Sequence, residues 1–293
     1  MFAAGRIAPA VSWRAFFLCA ALGSVALVGA TASKPPELAQ SGKPDAAEAA
    51  RLLEQFRQAG IPGEYYLEFD LRSLPRRGPE RSFHGRLWGG RNRDGAITRV
   101  EINDGSGATH RLLIQNGPQA AVWRVTDGKT APLSVAELFK PIIPGVDVTA
   151  FDLQMPYLYW PGATLEKVAR SVLGRPAYAY MVRAPAEFAK QHAEIVAARA
   201  YLDTQFNALV QTELIGADNK VTKSFAFLNL KKVGDRYIPK AADYRNEVTR
   251  DKTRLEVTGA ALNLKLPPAM FEPTELARPA APPAAGEITH LAP

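Results

Sequence analysis

The strongest constraint on the fold of this chain is a two-residue alternation of apolar and polar side chains that begins at Tyr65. In this first half, strands are predicted at 65–72, 83–88, 97–102, 111–115 and 121–126. The breaks between them carry turn sequences typical of β-hairpins: Asp94-Gly95, Asp104-Gly105, Asn116-Gly117 and Asp127-Gly128. No helical pattern intervenes that would support a parallel crossover, so the segments predict an antiparallel meander.

The second half of the chain continues the pattern after a Pro-rich central stretch. The strand predicted at 223–231 has apolar residues on both faces, which is typical of a strand in the middle of a sheet. An antiparallel sheet of about a dozen strands rarely stays flat, so we expect it to curl into a barrel or half-barrel. The other strands of this half are predicted at 165–169, 177–184, 194–203, 208–215, 236–238, 243–249 and 253–260.

Helical patterns occur before the sheet and in the central stretch. Asp45 is a good N-cap, and apolar residues follow it at helical spacing until a Gly-x-Pro sequence ends the segment. Ser134 and Thr149 each begin a capping box, with an acidic residue three positions later, and each predicts one short helix. The apolar and aromatic residues of 138–160 are too numerous for one helical face. We therefore expect the helix and the short helices to cover the open mouth of the sheet.

The composition excludes several kinds of functional site. One Cys and 4 His in 293 residues exclude a disulfide-stapled fold, a zinc finger and a thiol redox motif. No metal-ligand spacing, phosphate-binding loop or basic stripe with interleaved aromatics is present, so no metal, cofactor or nucleic-acid partner is predicted. A hydrolase would need His84 or His110 to meet a Ser and an acid in a cleft. The short basic clusters at 76–77, 91–93 and 231–232 are compatible with weak attraction to an anionic membrane.

The two ends of the sequence predict segments outside the sheet. Residues 1–32 have the two Arg, short apolar run and Ala-Thr-Ala site of a secretory signal peptide that is cut after Ala32. Residues 33–44 are predicted to be a linker, 45–276 the folded domain, and the Ala- and Pro-rich 277–293 a disordered tail. An exported chain without disulfides fits a periplasm better than the extracellular medium.

Several short motifs, taken in order, resemble one known family. Gly234-Asp-Arg-Tyr237-Ile-Pro239 is similar to its Gly-x-aromatic-x-Pro hairpin, 253–257 to its penultimate strand, and 266–276 to its closing segment. Asp152–Trp160 is similar to the acidic-aromatic part of its lid. Behind a predicted signal peptide, these motifs resemble the LolA-like periplasmic carriers of outer-membrane lipoprotein sorting. The resemblance spans about residues 46–276.

The resemblance implies an unclosed antiparallel barrel wrapped over helices, with an apolar interior. It implies a carrier and not an enzyme, one that needs no cofactor. Such a carrier takes acylated lipoprotein or lipid cargo from an inner-membrane exporter, shields the acyl chains in the periplasm, and passes them to an outer-membrane acceptor. Its contact with membranes would be transient. The family has an Arg that ties its lid shut, to which we assign no residue from the sequence.

The two-residue period and the predicted lid give the candidate lipid-binding residues. On the sheet side these are Leu67, Phe69, Val100, Ile102, Leu112, Ile114 and Phe225. On the lid side they are Phe139, Phe151, Met155 and Trp160. A second interpretation stays open, in which the chain is a non-enzymatic envelope sensor or interaction module and these residues simply fill its core. A carrier should instead show a large apolar cavity beneath 134–160.

Overall fold

The computed structural model describes residues 42–117 and 119–292. The predicted signal peptide and most of the predicted linker lie outside the described residues. Within them, one antiparallel sheet of 14 strands curls without closing, with one helix ahead of it and short helices in its connections. This confirms the predicted fold class, a mainly β, half-open barrel. No helix in the described part of the chain is long and apolar enough to span a bilayer.

The strands and helices are numbered in chain order. The strands are β1 (Glu64–Leu74), β2 (Arg81–Asn92), β3 (Gly95–Asn103), β4 (Thr109–Gln115), β5 (Ala121–Thr126), β6 (Lys129–Pro132), β7 (Thr164–Val172), β8 (Arg175–Arg183), β9 (Ala197–Asp203), β10 (Leu209–Ile215), β11 (Val221–Val233), β12 (Arg236–Asn246), β13 (Lys252–Leu264) and β14 (Thr289–His290). The helices are α1 (Ala46–Gln58), α2 (Val135–Leu138), α3 (Ala150–Gln154) and α4 (Ala186–Gln191), with 3-10 turns at Pro156–Tyr159, Pro268–Phe271, Pro273–Glu275 and Ala285–Glu287.

The sheet is built from two meanders that meet in its middle. Its strand order is β6-β5-β4-β3-β2-β1-β13-β12-β11-β10-β9-β8-β7, with β14 added beside β13. The first meander therefore runs outward from β1 to one free edge at β6, and the second returns from the other free edge at β7. Residues 133–163, here called the lid, connect these two edges. Since the chain must cross from edge to edge, the lid is carried across the concave face.

Local sequence signals place the helices where they were predicted. Asp45 accepts a hydrogen bond from the backbone N–H of Glu48 at 2.8 Å, which caps α1. Both predicted capping boxes are present, one beginning at Ser134 and one at Thr149. The β5–β6 hairpin turns at Asp127-Gly128, where both residues have positive φ as a type I′ turn requires.

Apolar side chains cover both faces of the curled sheet. On the inner face, residues of β1–β5 pack against 142–150 of the lid, and residues of β8–β12 pack against 151–160. The opposite, outer face of β1–β5 is covered by residues 265–292, here called the C-terminal segment. Helix α1 packs its buried Ala49 and Leu53 against Tyr178, Tyr180 and Leu202 of the second meander.

The expectation of a disordered tail after residue 276 is not met by the described residues. Leu276 is fully buried, Leu291 is 8 % exposed, and β14 pairs with Gly259 and Ala260 of β13. The backbone of this segment is also bound by the buried side chain of Arg99. The apolar residues of this segment show no periodicity because its backbone is irregular. An irregular backbone is nevertheless ordered when side chains bind its carbonyl groups.

Three further elements differ from their predictions. The strands predicted at 236–238 and 243–249 are one continuous strand, β12. The far half of β11 is exposed, since Leu228 and Leu230 face solvent although an apolar strand predicts burial. Helix α4 was not predicted, because its six residues show too little periodicity to register.

Candidate functional site

Most of the candidate residues predicted for the sheet side come together on the inner face. Phe69, Val100, Ile102, Leu112 and Ile114 belong to one buried cluster, each at most 5 % exposed. Residues Ile142, Ile143, Val146 and Val148 of the lid complete it. The two-residue period therefore assigned these side chains to the correct face. Their role in binding a lipid stays a prediction.

The candidate residues of the lid form a second buried cluster with Phe225 of β11. Phe151 is 1 % exposed, while Met155 and Trp160 are each 8 % exposed. Phe139 is half-buried and stacks on Phe151, with ring centroids 4.5 Å apart. Such aromatic pairs contribute about 0.5–1.5 kcal/mol beyond the area that they bury. The lid thus presents a continuous aromatic surface to the inner face of the second meander.

Sequence reasoning missed two members of this aromatic surface. Phe188 of α4 lies 4.8 Å from Trp160 and 5.6 Å from Phe151, measured between ring centroids. His192 stacks on Phe139 at 4.0 Å, although its surroundings in the sequence are polar. Phe188 itself was the available sequence signal for an aromatic contact in this region. No periodic pattern of apolar residues connected it to the lid.

Leu67 lies apart from the other candidates. It packs in a separate cluster with Val233, Ile238, Val257 and Ala260, which also includes Leu291 of the C-terminal segment. The register of β1 against β13 shifts between Glu68 and Phe69, so the two neighbouring inward residues of β1 lead into different clusters. Leu67 is therefore at one end of the interior, away from the second buried cluster that the lid forms with Phe225, which we call the lid cluster.

Two glycines of β2 make room for rings that cross the inner face. Phe69 pairs with Gly85 and Tyr65 pairs with Gly89 across β1 and β2. A Cβ at Gly85 would lie 2.2 Å from Cζ of Phe69, and one at Gly89 would lie 2.1 Å from Cζ of Tyr65. Each ring therefore lies flat over a strand position that only glycine can occupy. This keeps the inner face smooth and closely packed.

An opening into the interior lies between the lid and the turns of the second meander. A cavity of about 350 Å³ is lined by apolar side chains that include Phe139, Phe151 and Ile195, and by a polar rim that includes Lys223 and Asn246. This volume is at the low end of small-molecule sites. The other candidates are buried in the three clusters described above, so the described state is closed and its interior is filled. The large cavity expected beneath 134–160 for a carrier is not open in this state.

Polar contacts at this opening fasten the lid to the sheet. Lys223 Nζ of β11 donates to Asp152 Oδ2 of α3 at 2.9 Å. Asn246 Nδ2 of β12 donates to Asp147 Oδ2 of the lid at 2.8 Å. Asp152 is 9 % exposed and is also bound by Thr149, whereas the Lys223 side chain is 26 % exposed. A partly exposed pair of this kind holds two elements together without making their separation prohibitive.

Helix α1 fastens the other end of the lid. Arg57 Nε donates to the carbonyl of Leu158 at 2.8 Å, and its Nη2 donates to the carbonyl of Trp160 at 3.1 Å. The family resemblance implied an Arg that ties the lid shut, to which no residue was assigned from the sequence. Arg57 makes two hydrogen bonds to lid carbonyls, and Arg124 of β5 makes one, to the carbonyl of Pro141 at 3.4 Å. The signal of Arg57 was missed because its partners lie about a hundred positions away.

Two tyrosines lie beneath the opening and stay neutral. The hydroxyl groups of Tyr157 and Thr212 are 2.9 Å apart, and both side chains are buried. Burial raises the pKa of Tyr157 and of Tyr244 well above the ordinary value of tyrosine. Together with Phe225 they line a small pocket with room for about one water. The two tyrosines therefore bring hydroxyl groups to a pocket whose lining also includes the charged side chains of Asp152 and Lys223.

The chain bends sharply between α3 and the 3-10 turn that follows it. Met155 ends α3 with φ 49° and ψ 53°, in the left-handed region, and Pro156 begins the next turn. This conformation costs a residue with a side chain about 1–2 kcal/mol. The buried Met155 side chain and its neighbours maintain it, so the lid has a defined corner at this position.

The two His residues considered for hydrolysis and the acidic side chains near them form local polar pairs. No group of three or more His, Cys, Asp or Glu side chains in the described part of the chain is placed to hold a metal ion. His110 and Ser106 both bind Asp104, so the acid lies between them and the Ser has no His partner. His84 binds Asp70 in an exposed position. These arrangements are those of surface polar pairs.

Comparison with known proteins identifies the architecture. No family model and no curated sequence matches the chain. Among solved structures, a putative outer-membrane lipoprotein-sorting protein domain from Vibrio parahaemolyticus superposes with a TM-score of 0.67, at 14% identity, over 80% of this chain and 98% of that one. The chain has a LolA-like fold. The predicted resemblance is confirmed at this level.

Two other structures support the LolA-like fold. A LolA superfamily protein from Nitrosomonas europaea gives a TM-score of 0.58 at 13% identity, over 78% of this chain and 98% of that one. A DUF1329 family protein from Desulfovibrio piger gives 0.65 at 13% identity, over 80% of this chain and all of that one. The three superpositions cover 78–80% of this chain and almost all of each neighbour. The LolA-like fold therefore accounts for most of the described residues.

Proposed function

We propose that this chain is a periplasmic carrier that shields the acyl chains of lipoproteins or lipids inside its half-barrel and delivers them toward the outer membrane. The observation that carries this proposal is how the lid closes the inner face. The lid runs from one free edge of the sheet to the other, and none of its residues 134–162 joins a strand of the sheet. A cover held by side chains can lift while every strand ladder stays intact.

The energetics of the interior suit a cargo that must later be released. An acyl chain in water is unfavourable by about 0.8 kcal/mol per CH₂. In the closed state the lid side chains occupy the inner face, so a chain can enter only where they move out. The free energy of the apolar contacts that the lid loses then offsets part of the free energy gained by burying the acyl chain. Met155 and the aromatic side chains suit such an exchange because they repack easily.

The polar fastenings supply a reversible closure. Opening breaks the Lys223–Asp152 ion pair and the two hydrogen bonds from Arg57 to lid carbonyls. Each group that is released reaches solvent, where water replaces its partner. The net cost of opening is therefore small compared with that of burying an unpaired charge. This is the property that a carrier lid requires.

The cellular part of the proposal rests on the predicted leader and the LolA-like fold. Cleavage after Ala32 would release the chain into the periplasm. Cargo would arrive from an inner-membrane exporter and pass to an outer-membrane acceptor, with only transient membrane contact. The carrier performs no covalent chemistry and needs no cofactor, so it is not an enzyme.

One observation favours a second candidate function. The interior is filled by side chains, and the cavity at its opening holds only about 350 Å³. This is what an envelope sensor or interaction module on the same fold would show. Such a protein would bind a partner through its surface and would not take up an acyl chain.

Native mass spectrometry separates the two functions. The protein is purified from a periplasmic extract without detergent and examined for bound acylated species. The carrier predicts stoichiometric lipid or lipoprotein that is lost on mild activation. A protein that is empty, and that also fails to take up a fluorescent fatty acid, would contradict the carrier and favour the sensor.

Tryptophan quenching tests where the acyl chain lies. Trp160 is in the lid cluster, whereas Trp88 and Trp123 pack on the outer face. A brominated fatty acid bound beneath the lid should quench wild-type emission, while the unbrominated acid should not. Trp160→Phe should remove most of this quenching, and the matched variant Trp88→Phe should retain it. Quenching that survives in Trp160→Phe would place the ligand elsewhere.

A further inference from the structure

We infer that the end of the β11–β12 hairpin is a docking surface for an anionic lipid bilayer. The inference rests on the proposed function, because a carrier has to reach a membrane to receive or release an acyl chain. It concerns residues 227–240, here called the ribbon. Phe227 at the base packs against the buried lid residues, but none of 227–240 lines the cavity at the edge of the lid, so a separate surface of the molecule is involved.

The ribbon extends beyond the rest of the sheet. β11 pairs with β10 only as far as Ala226, and β12 pairs with β13 only from Ala241 onward. Between these limits the two strands pair with each other alone, through the turn at Gly234-Asp235. The ribbon is therefore a two-stranded projection, and its backbone edges are free of ladder partners among the described strands.

The two faces of the ribbon differ in burial. On one face, Val233 is 6 % exposed and Ile238 is fully buried, and they anchor the ribbon against the end of the interior. On the other face, Leu230 is 37 % exposed and Tyr237 is 67 % exposed, with Leu228 at the base 40 % exposed. A projection that exposes two Leu and a Tyr is an unusual use of surface for a monomeric protein.

Basic side chains accompany these apolar groups. Lys232 lies directly opposite Tyr237 on the exposed face. Lys231 lies opposite Ile238, on the other face of the strand, and is also exposed to solvent. Neither lysine lies within 4.0 Å of a carboxylate among the described residues, whereas Arg236 has Asp235 at 3.8 Å. The ribbon therefore has two exposed lysines without acidic partners, of which Lys232 shares the face of the exposed apolar side chains and Lys231 lies one position away along the strand.

This combination fits the surface of an anionic bilayer. Lysine ammonium groups are attracted to lipid phosphates, and their stems can lie along apolar surface. Tyrosine prefers the level of the headgroups, because its ring is apolar and its hydroxyl is wet. Lysine on a free strand edge also discourages pairing with another chain. That second role accounts for the lysines but not for Leu230 and Tyr237.

Vesicle co-sedimentation tests the inference. Protein from a periplasmic extract is mixed with phosphatidylglycerol–phosphatidylethanolamine vesicles, or with phosphatidylcholine vesicles, at low and high salt. Binding is expected to the anionic vesicles and to weaken with salt. Lys231→Glu with Lys232→Glu should lower the affinity at least about tenfold, since each lysine near such a surface is worth roughly fivefold.

An apolar variant and a matched control separate the two contributions. Leu230→Ser with Tyr237→Ser should weaken binding by about tenfold and leave its salt dependence in place. Phe206→Ser removes an apolar side chain that is equally exposed, at 67 %. Its turn, residues 204–208, contains no Lys or Arg. This variant should bind like the wild type, and all variants should unfold at the wild-type temperature.

The outcomes keep the ribbon and the carrier function distinct. A ribbon variant that loses vesicle binding but still takes up a fluorescent fatty acid supports the inference. A wild type that takes up fatty acid but does not bind anionic vesicles overturns the inference and leaves the carrier standing. Vesicle binding without fatty-acid uptake supports the ribbon and contradicts the carrier. If the ribbon variants change only self-association or partner binding, the surface is a protein interface and the inference fails.

Discussion

Two irregular segments cover the two faces of the sheet, and they are fastened in different ways. The C-terminal segment (265–292) covers the outer face of the first meander and is bound largely through its backbone. The lid (133–163) crosses the inner face and is bound largely through side chains. Both bury apolar surface, so the hydrophobic contribution alone does not distinguish them. The difference lies in what has to break for each segment to leave.

The outer fastening is centred on one buried guanidinium. Arg99 is 2 % exposed and donates to the carbonyls of four residues of the C-terminal segment: Met270, Glu275, Leu276 and Arg278. It also pairs with Glu101 at 2.8 Å, and Glu101 accepts the backbone N–H of Ala280. β14 adds a strand pairing to β13. Removing this segment would therefore leave several buried polar groups without partners.

The inner fastening is built mostly from groups that tolerate release. The rings of Phe139 and Phe151 carry no hydrogen-bonding group, while two buried hydrogen bonds join the lid to the sheet, one between Tyr157 and Thr212 and one from Gln154 Nε2 to the carbonyl of Gln115. Lys223 and Arg57 bind the lid from positions that are partly exposed. The comparison suggests a fixed cover on one face and a removable cover on the other. The predictions that follow test this difference, beginning with the largest expected effect.

Removing the Arg99 guanidinium should cause the largest loss of stability. Arg99→Met leaves the buried Glu101 with Arg111, at 3.5 Å, as its remaining charge partner and frees four carbonyls, so unfolding should become easier by about 3–5 kcal/mol. Urea denaturation measures this change, and hydrogen exchange should show faster exchange in 265–292. Arg254→Met is the control, since it breaks a more exposed pair with Asp243 within the sheet. Equal losses in the two variants would contradict a special role for Arg99.

Filling the space at Gly85 should disturb the inner face next. The new methyl group of Gly85→Ala would meet the Phe69 ring, whose nearest atom is 2.2 Å away, so the ring or the strand must move. We expect a loss of about 1–3 kcal/mol in urea denaturation. Gly286→Ala in the C-terminal segment is the matched control, because nothing lies within 4 Å of its added methyl group. A neutral Gly85→Ala would mean that the inner face repacks freely.

The inner face could be predicted from the sequence because side-chain direction alternates strictly along a strand. That rule placed Phe69, Val100 and Leu112 correctly, and the Asp-Gly turn sequence located the hairpin at Asp127-Gly128. It gave Leu67 the inward direction but not its neighbours, because the pairing of β1 with β13 shifts between Glu68 and Phe69, and no local residue pattern announces such a shift. It also failed for the far half of β11, because burial depends on neighbouring strands that are absent beside the ribbon.

The fastenings of both covers could not be predicted for a different reason. Arg99 binds carbonyls more than 170 positions away, and Arg57 binds carbonyls about 100 positions away. Backbone acceptors are the same for every residue type, so the sequence contains no mark of such partners. The aromatic contacts of Phe188 and His192 depend likewise on how α4 docks. Local patterns therefore define the sheet, and long-range polar contacts define its covers.

Breaking the ion pair at the opening should separate stability from lid mobility. Lys223→Met keeps the aliphatic stem and the Thr149–Asp152 capping box but removes the ammonium group. The expected loss is about 1–2 kcal/mol, since the pair is only partly buried. Fluorescent fatty acid should enter faster, and hydrogen exchange should increase in 133–163 but not in 265–292. Faster exchange throughout the chain would instead indicate global destabilisation, and the lid would not be a separate unit.

The smallest effect is expected where α1, which holds the end of the lid, docks on β8. Tyr180 donates to the carbonyl of Ala49 at 2.9 Å, and burial raises its pKa to about 12. Because the folded pKa lies above the unfolded value, this contribution is complete below about pH 10 and is lost as pH rises through 12. Tyr180→Phe should cost about 1 kcal/mol at neutral pH and reduce the alkaline loss of stability. Denaturation midpoints from pH 8 upward measure both, and an unchanged alkaline loss would show that other buried tyrosines, such as Tyr66, dominate it.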